Sequence, residues 1–130
     1  MKNIIRIDKK INTFKNKIEV SGDKSISIRC VLLASQALGT SKIYNLLESE
    51  DVLNALRSIK KLGIKYRKNK YFYQIHGFGL NGFNTNKKIN LDAGNSGTFA
   101  RLILGLLIKS PHYIKSVSYT HLTLPTILRV

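Results

Sequence analysis

The sequence has one cysteine in 130 residues. No internal disulfide can form, which fits a reducing compartment and a cytoplasmic location. That residue, Cys30, is followed by Val31, Leu32 and Leu33 and reads as an inert buried thiol rather than a nucleophile. No apolar run approaches the ~18 residues of a membrane span, so no membrane partner is expected. Met1 to Arg6 is too short in its apolar part, and too broken by charge, for a signal peptide. His76 has no second ligand at metal spacing, so no metal site is expected there. No Walker A spacing is present either.

Acid is also scarce. Seven acidic residues stand against 22 lysines and arginines, giving a formal net charge of +15. Taken alone, that balance suggests a nucleic-acid or ribosome surface. The basic residues are scattered, however: Lys9, Lys17, Lys42, Lys65 and Lys87 lie far apart. Lys, Ile and Asn dominate the composition and have AT-rich codons. Compositional drift, helped by selection for anionic substrates, is the reading favoured here, and no nucleic-acid partner is expected. Hydrophobic residues make up 43% of the chain, enough for one domain with a real core.

What the sequence does contain is an organised stretch from Val20 to Arg29. It leaves a short apolar strand at Lys17 to Val20 and turns at Ser21-Gly22-Asp23. It then enters an apolar helix from about Ser27 to Leu38. Asp23 or Ser25 is available as N-cap. Free backbone N–H groups and a partial positive charge make a helix start a seat for anions. Lys24 adds a flexible charge there, and Arg29 a planar fork for carboxylate or phosphate. A second turn of this kind, Gly94-Asn95-Ser96-Gly97-Thr98, precedes a helix over Thr98 to Ile108. The two turns are expected to face one site for small anions. Their shared order of turn, apolar helix and strand suggests a repeated βα unit.

Between them, Ser41 to Leu47 reads as a strand, with Gly39 closing the first helix in a left-handed turn. Ser49 is the expected N-cap of the next helix, and Glu50 and Asp51 suit its dipole better than they suit acid–base or metal chemistry. Val52, Leu53, Leu56, Ile59 and Leu62 keep a helical period up to a stop at Gly63. Ile64 to Tyr66 and Tyr71 to Ile75 look like two strands. Tyr66, Tyr71, Phe72 and Tyr73 beside lysines resemble a stacking platform, but a hairpin with one buried and one wet face explains them better. Gly77 to Asn90 reads as a connection, and an edge strand is expected within Met1 to Asn16.

Three of these segments carry a family resemblance. Ser21-Gly22-Asp23-Lys24-Ser25-Ile26-Ser27-Ile28-Arg29 resembles the P-G-[SD]-K-S-[IV]-S-[NH]-R signature of the 5-enolpyruvylshikimate-3-phosphate synthases, or 3-phosphoshikimate 1-carboxyvinyltransferases. Asn45 to Val52 is similar to that family's N-L-L-x-S-x-D. Leu91 to Thr98 with Arg101 is similar to its G-N-[SA]-G-T-x-x-R. Order and spacing match as well. Two positions depart: Ser21 stands where proline is usual, and Ile28 replaces Asn or His, which is expected to weaken a polar contact near the site. The resemblance covers residues 17–115, expected to be the first repeat and the start of the second. Residues 1–16 form an N-terminal edge segment. Residues 116–130 resemble translated adapter or out-of-frame sequence, a tail foreign to the family.

The resemblance implies an α/β (α+β) fold: an enolpyruvyl transferase-like domain of βαβαββ repeats, here an incomplete inside-out α/β barrel. It implies transfer of the enolpyruvyl group of phosphoenolpyruvate to the 5-hydroxyl of shikimate 3-phosphate, in aromatic amino acid biosynthesis. No cofactor is required and the family is mostly monomeric. By motif position, Lys24 is the catalytic residue and contacts both substrates. Ser25 and Arg29 bind shikimate 3-phosphate. Asn95, Gly97 and Thr98 hold phosphoenolpyruvate. The remaining site groups of the family have no counterpart here, so the chain alone is expected to be inactive. The alternatives are a small basic nucleic-acid-binding protein and a non-catalytic paralogue.

Overall fold

Helix α1 (Lys24–Gln36) starts three residues before the sequence pattern suggests. The Asp23 carboxylate accepts the Ile26 N–H at 2.7 Å and caps the helix there, which places Lys24 and Ser25 in its first turn. The structure is a computed structural model that describes residues 13, 15, 17–80, 82–83, 88–110 and 113–119. The edge strand expected within Met1 to Asn16 therefore lies outside the described residues, apart from Thr13 and Lys15.

Strand β1 (Leu38–Tyr44) follows α1 after one extended residue, Ala37. Gly39 has φ +84° but sits inside β1, so it does not close the helix as expected. The strand stops at Tyr44 because Asn45 takes φ +53°, a left-handed conformation open to asparagine. Helix α2 (Glu50–Lys61) agrees with its sequence period. Val52, Ala55, Leu56 and Ile59 are fully buried, and each larger side chain contributes about 1.5–3 kcal/mol. Gly63, at φ +92°, provides the left-handed residue after it. Ser49 holds the N-cap position without a capping hydrogen bond from its side chain.

Strands β2 (Lys65–Lys68) and β3 (Phe72–Phe78) form the hairpin. They join β1 in an antiparallel sheet of order β1-β3-β2. Tyr73, Ile75 and Gly77 face inward, whereas Gln74, His76 and Phe78 face out, the alternation of a half-buried sheet. Gly77 passes beneath the last turn of α1. A Cβ there would lie 2.3 Å and 2.4 Å from the carbonyl oxygens of Ala37 and Ala34, so no larger residue fits.

Strand β4 (Ile89–Asp92), helix α3 (Gly97–Leu107) and strand β5 (Ile114–Val117) complete the described chain. β4 and β5 pair in parallel with α3 as their crossover, the second βα unit suggested by the sequence echo. The core joins α1, α2 and α3 to the inner faces of the strands, with Ile28, Leu56, Ile75, Leu91 and Phe99 among its fully buried members.

Further expectations are corrected. Lys17 to Val20 is not a strand: it pairs with no strand among the described residues, and Ile18 and Val20 are exposed. Helix α1 buries one side only. Ile28, Val31 and Leu32 face the core, while Ile26 and Leu33 are exposed. Ile28 is fully buried, so this departure from the family signature packs into the core rather than facing the site.

Candidate functional site

The first and second motifs are locked together by bonds between side chains and backbone. The Ser27 hydroxyl, buried on α1, accepts the Leu47 N–H at 3.0 Å. Asn45 Nδ2 donates to the Val20 carbonyl at 3.2 Å. Gly22 lies so close to the second segment that a Cβ would sit 2.2 Å from the Asn45 oxygen. These contacts fix the start of α1 beside the loop that leads into α2.

One ion pair then joins the two helix starts. Lys24 Nζ lies 2.9 Å from Asp51 Oδ2. The Asp51 side chain is 12% exposed and that of Lys24 49% exposed, so the carboxylate is held inside and the ammonium reaches out. Asp51 also suits the positive end of the α2 dipole, as expected from sequence. Its pairing with Lys24 goes beyond the sequence expectation. A signal existed: in so basic a chain, an acid fixed within the second motif calls for a nearby cation.

The third motif closes on the same place. Gly94 takes φ +52°, and its Cα packs against α2: a Cβ would meet Asn54 Nδ2 at 2.7 Å and Asp51 Oδ1 at 3.5 Å. Asp51 thus stands between Lys24 and the glycine turn. The turn is tied down on its other side. Asp92 Oδ1 accepts the Gly94 N–H at 2.8 Å, and the Gly94 carbonyl accepts from the Ser118 hydroxyl at 3.0 Å and the Tyr119 N–H at 2.9 Å. Ser96 caps α3 by accepting the Phe99 N–H at 3.1 Å.

The other sequence-predicted ligand groups lie on the elements that meet at this junction. Lys24, Ser25 and Arg29 lie on α1. Ser25 and Arg29 are four residues apart and share a helix face. Arg29 also borders an apolar groove of about 240 Å³ between α1 and α3, lined by Leu32, Leu33, Leu102 and Leu106. Asn95 is exposed in the turn, and Gly97 and Thr98 are half-buried in the first turn of α3. The side chains of Ser25, Arg29, Asn95 and Thr98 hold no hydrogen bond or ion pair among the described residues, so their donors are uncommitted. Helix starts, an ammonium and a guanidinium are the kinds of group that attract small polyanions. No cluster of three or more His, Cys, Asp or Glu side chains able to hold a metal ion occurs among the described residues.

The hairpin residues form a separate group. The Lys68 ammonium lies 2.7 Å from the Glu48 carboxylate. Lys68 and a hydrogen bond with Tyr73 hold the Glu48 carboxyl below its ordinary range. The Glu48 hydrogen bond raises Lys68 in turn. Burial, then Glu48, pushes the Tyr73 phenol up. Tyr73 is buried and so does not serve as a stacking platform, whereas Tyr71 is exposed. Lys42 lies over the Phe72 ring at 5.1 Å.

Comparison with known proteins bears on the whole arrangement. The sequence model of EPSP synthase (3-phosphoshikimate 1-carboxyvinyltransferase) matches residues 9–122. The chain belongs to the EPSP synthase family. The 3-phosphoshikimate 1-carboxyvinyltransferase of Streptococcus suis (strain 98HAH33) is 39% identical over 103 residues, covering 79% of this chain and 24% of the relative. That of Streptococcus mutans serotype c is 44% identical over 90 residues, covering 69% of this chain and 21% of the relative. A solved EPSP synthase from Acinetobacter baumannii superposes with a TM-score of 0.74 at 33% identity, over 87% of this chain and 26% of that one. The α+β architecture is therefore that of EPSP synthases. The chain spans about a quarter of the length of the curated relatives it matches. The matched span runs beyond residues 17–115 at both ends, and β5 carries Ser116 and Val117 within it.

Proposed function

We propose that this chain supplies part of the substrate site of an enolpyruvyl transferase, which moves the enolpyruvyl group of phosphoenolpyruvate to the 5-hydroxyl of shikimate 3-phosphate. The observation that carries this reading is the Lys24–Asp51 pair, with Asp51 in turn against the Gly94 turn. An ammonium has three donors. Asp51 takes one and fixes the nitrogen, which leaves two for oxygens of the substrates. Lys24 then contacts both substrates near the reacting hydroxyl and stabilises charge that develops as the tetrahedral intermediate forms and phosphate leaves. Ser25 and Arg29 bind shikimate 3-phosphate, the guanidinium pairing with its anionic groups. The turn at Asn95, Gly97 and Thr98 holds phosphoenolpyruvate, with the start of α3 directed at the anion.

No metal or organic cofactor takes part in this scheme. The chain provides one cationic wall of the site, and the acid–base groups come from other parts of the enzyme, so turnover requires a completed protein. Action in the cytoplasm fits the single cysteine, and no described helix is long and apolar enough to cross a membrane. The test is calorimetric titration of the 130-residue chain with shikimate 3-phosphate. Saturable binding that weakens about tenfold or more in Arg29→Ala, as loss of a charge-assisted bond dictates, supports the reading. A folded chain that binds equally well with and without Arg29 contradicts it.

A further inference from the structure

At the far end of α2 from Asp51, about 14 Å along the helix, lies a second collection of positive charge. It occupies the outer face of the β1-β3-β2 sheet. Lys65 and Arg67 of β2 stand opposite His76 and Gln74 of β3, and Thr40 of β1 stands opposite His76 on the other side. With Lys60 from the last turn of α2, these residues line an open cleft of about 610 Å³. That volume is within the ~300–1,000 Å³ of small-ligand sites.

The charge in this cleft is uncompensated. No acidic residue lines it among the described residues. Lys60, Lys65 and Arg67 hold no ion pair among the described residues, whereas Lys24 and Lys68 are each paired with a carboxylate. Three like charges brought to one concave surface repel each other, and a bound polyanion removes that cost. Lys60 also offsets the partial negative charge of the α2 C-terminus, which would otherwise oppose an anion. The floor is polar and oriented. The Thr40 hydroxyl is 3.0 Å from His76 Nδ1, which fixes the imidazole and leaves Nε2 as its uncommitted nitrogen. The Gln74 amide lies in the adjacent row.

We propose that this cleft binds a small molecule carrying two or more phosphoryl groups, at a site separate from the helix starts. Lys65, Arg67 and Lys60 would grip the phosphoryl oxygens, and Gln74 and His76 would meet the rest of the ligand. The proposal does not depend on the function assigned to the helix starts, and either can fail alone.

The experiment titrates the 130-residue chain with inorganic tripolyphosphate at moderate salt and follows the His76 ring resonances, which report on this cleft. Saturable shifts are expected. Lys65→Ala with Arg67→Ala should weaken binding about tenfold or more, while Lys17→Ala with Lys115→Ala, which removes the same charge elsewhere, should change it less than about twofold. Lys60→Ala alone, at an exposed helix position, should also weaken it. Equal losses in the cleft and control variants would overturn the proposal, since they would show diffuse attraction to a +15 chain. Unsaturable shifts would overturn it too, as would tighter binding of a single-stranded RNA oligonucleotide than of tripolyphosphate at the same salt.

Discussion

The ammonium of Lys24 rests 2.9 Å from the carboxylate of Asp51, a residue 27 positions later in the chain. The pair ties the first turn of α1 to the first turn of α2. With the ammonium about half exposed, its contribution to stability is small, about 0–1 kcal/mol. Its value is in position: it holds a cation at the start of α1.

Asp51→Asn should therefore separate stability from turnover. In a chimera where the 103 residues aligned with the Streptococcus suis relative replace the matching segment of that protein, kcat should fall about tenfold or more while the urea midpoint barely moves. Steady-state kinetics and urea melts check this. A lowered midpoint with unchanged kcat would make Asp51 structural only.

Gly22→Ala should do the reverse. Its Cβ would lie 2.2 Å from the Asn45 carbonyl oxygen, a backbone atom that cannot swing aside. Relief requires parting the first motif from the second, at a cost of about 1–3 kcal/mol. Urea unfolding of the 130-residue chain measures it. Unchanged stability would show that the two segments pack less tightly than described.

Glu48 predicts a pH dependence. Its carboxyl lies below the ordinary value of 4.5, chiefly because Lys68 bonds to it. A depressed acid contributes stability above its unfolded pKa and loses it as pH falls through the folded one. That contribution is thus fully present above about pH 4.5 and lost below it. The alkaline side mirrors this. Lys68 and Tyr73 are raised from 10.5 and 10.0, so their contributions hold below those values and fade as pH rises through the folded ones. Glu48→Gln should flatten the acid limb of a stability–pH curve. An identical limb in the variant would contradict the assignment.

Gly97→Ala should raise the KM for phosphoenolpyruvate selectively in the chimera, because a methyl group in the first turn of α3 crowds the approach of that substrate to the backbone. The KM for shikimate 3-phosphate and the urea midpoint serve as internal controls. Equal KM values for phosphoenolpyruvate in both proteins would remove Gly97 from the pocket.

Much of this was legible in the sequence because local chemistry decided it. The α2 period, the Gly63 stop and the alternation of the hairpin all follow from near neighbours. The sequence reading starts α1 at about Ser27 because Lys24 and Ser25, ahead of it, are polar and fall outside the apolar pattern. Yet Asp23 caps earlier, and Ser27 turns inward to accept the Leu47 N–H. The Lys24–Asp51 pair is a tertiary contact that no local pattern encodes. The same holds for Gly94, whose closeness to α2 is set by packing. The cleft beside His76 was hidden because Lys60, Lys65 and Arg67 come from two elements and converge only when the sheet forms.

The most direct test of the site is turnover by that chimera with and without Lys24. The unsubstituted chimera should convert shikimate 3-phosphate and phosphoenolpyruvate, and Lys24→Ala should lower kcat/KM about a hundredfold or more with the urea midpoint unchanged. A folded Lys24→Ala chimera with kcat/KM near that of its parent would contradict the placement of the reaction at these helix starts.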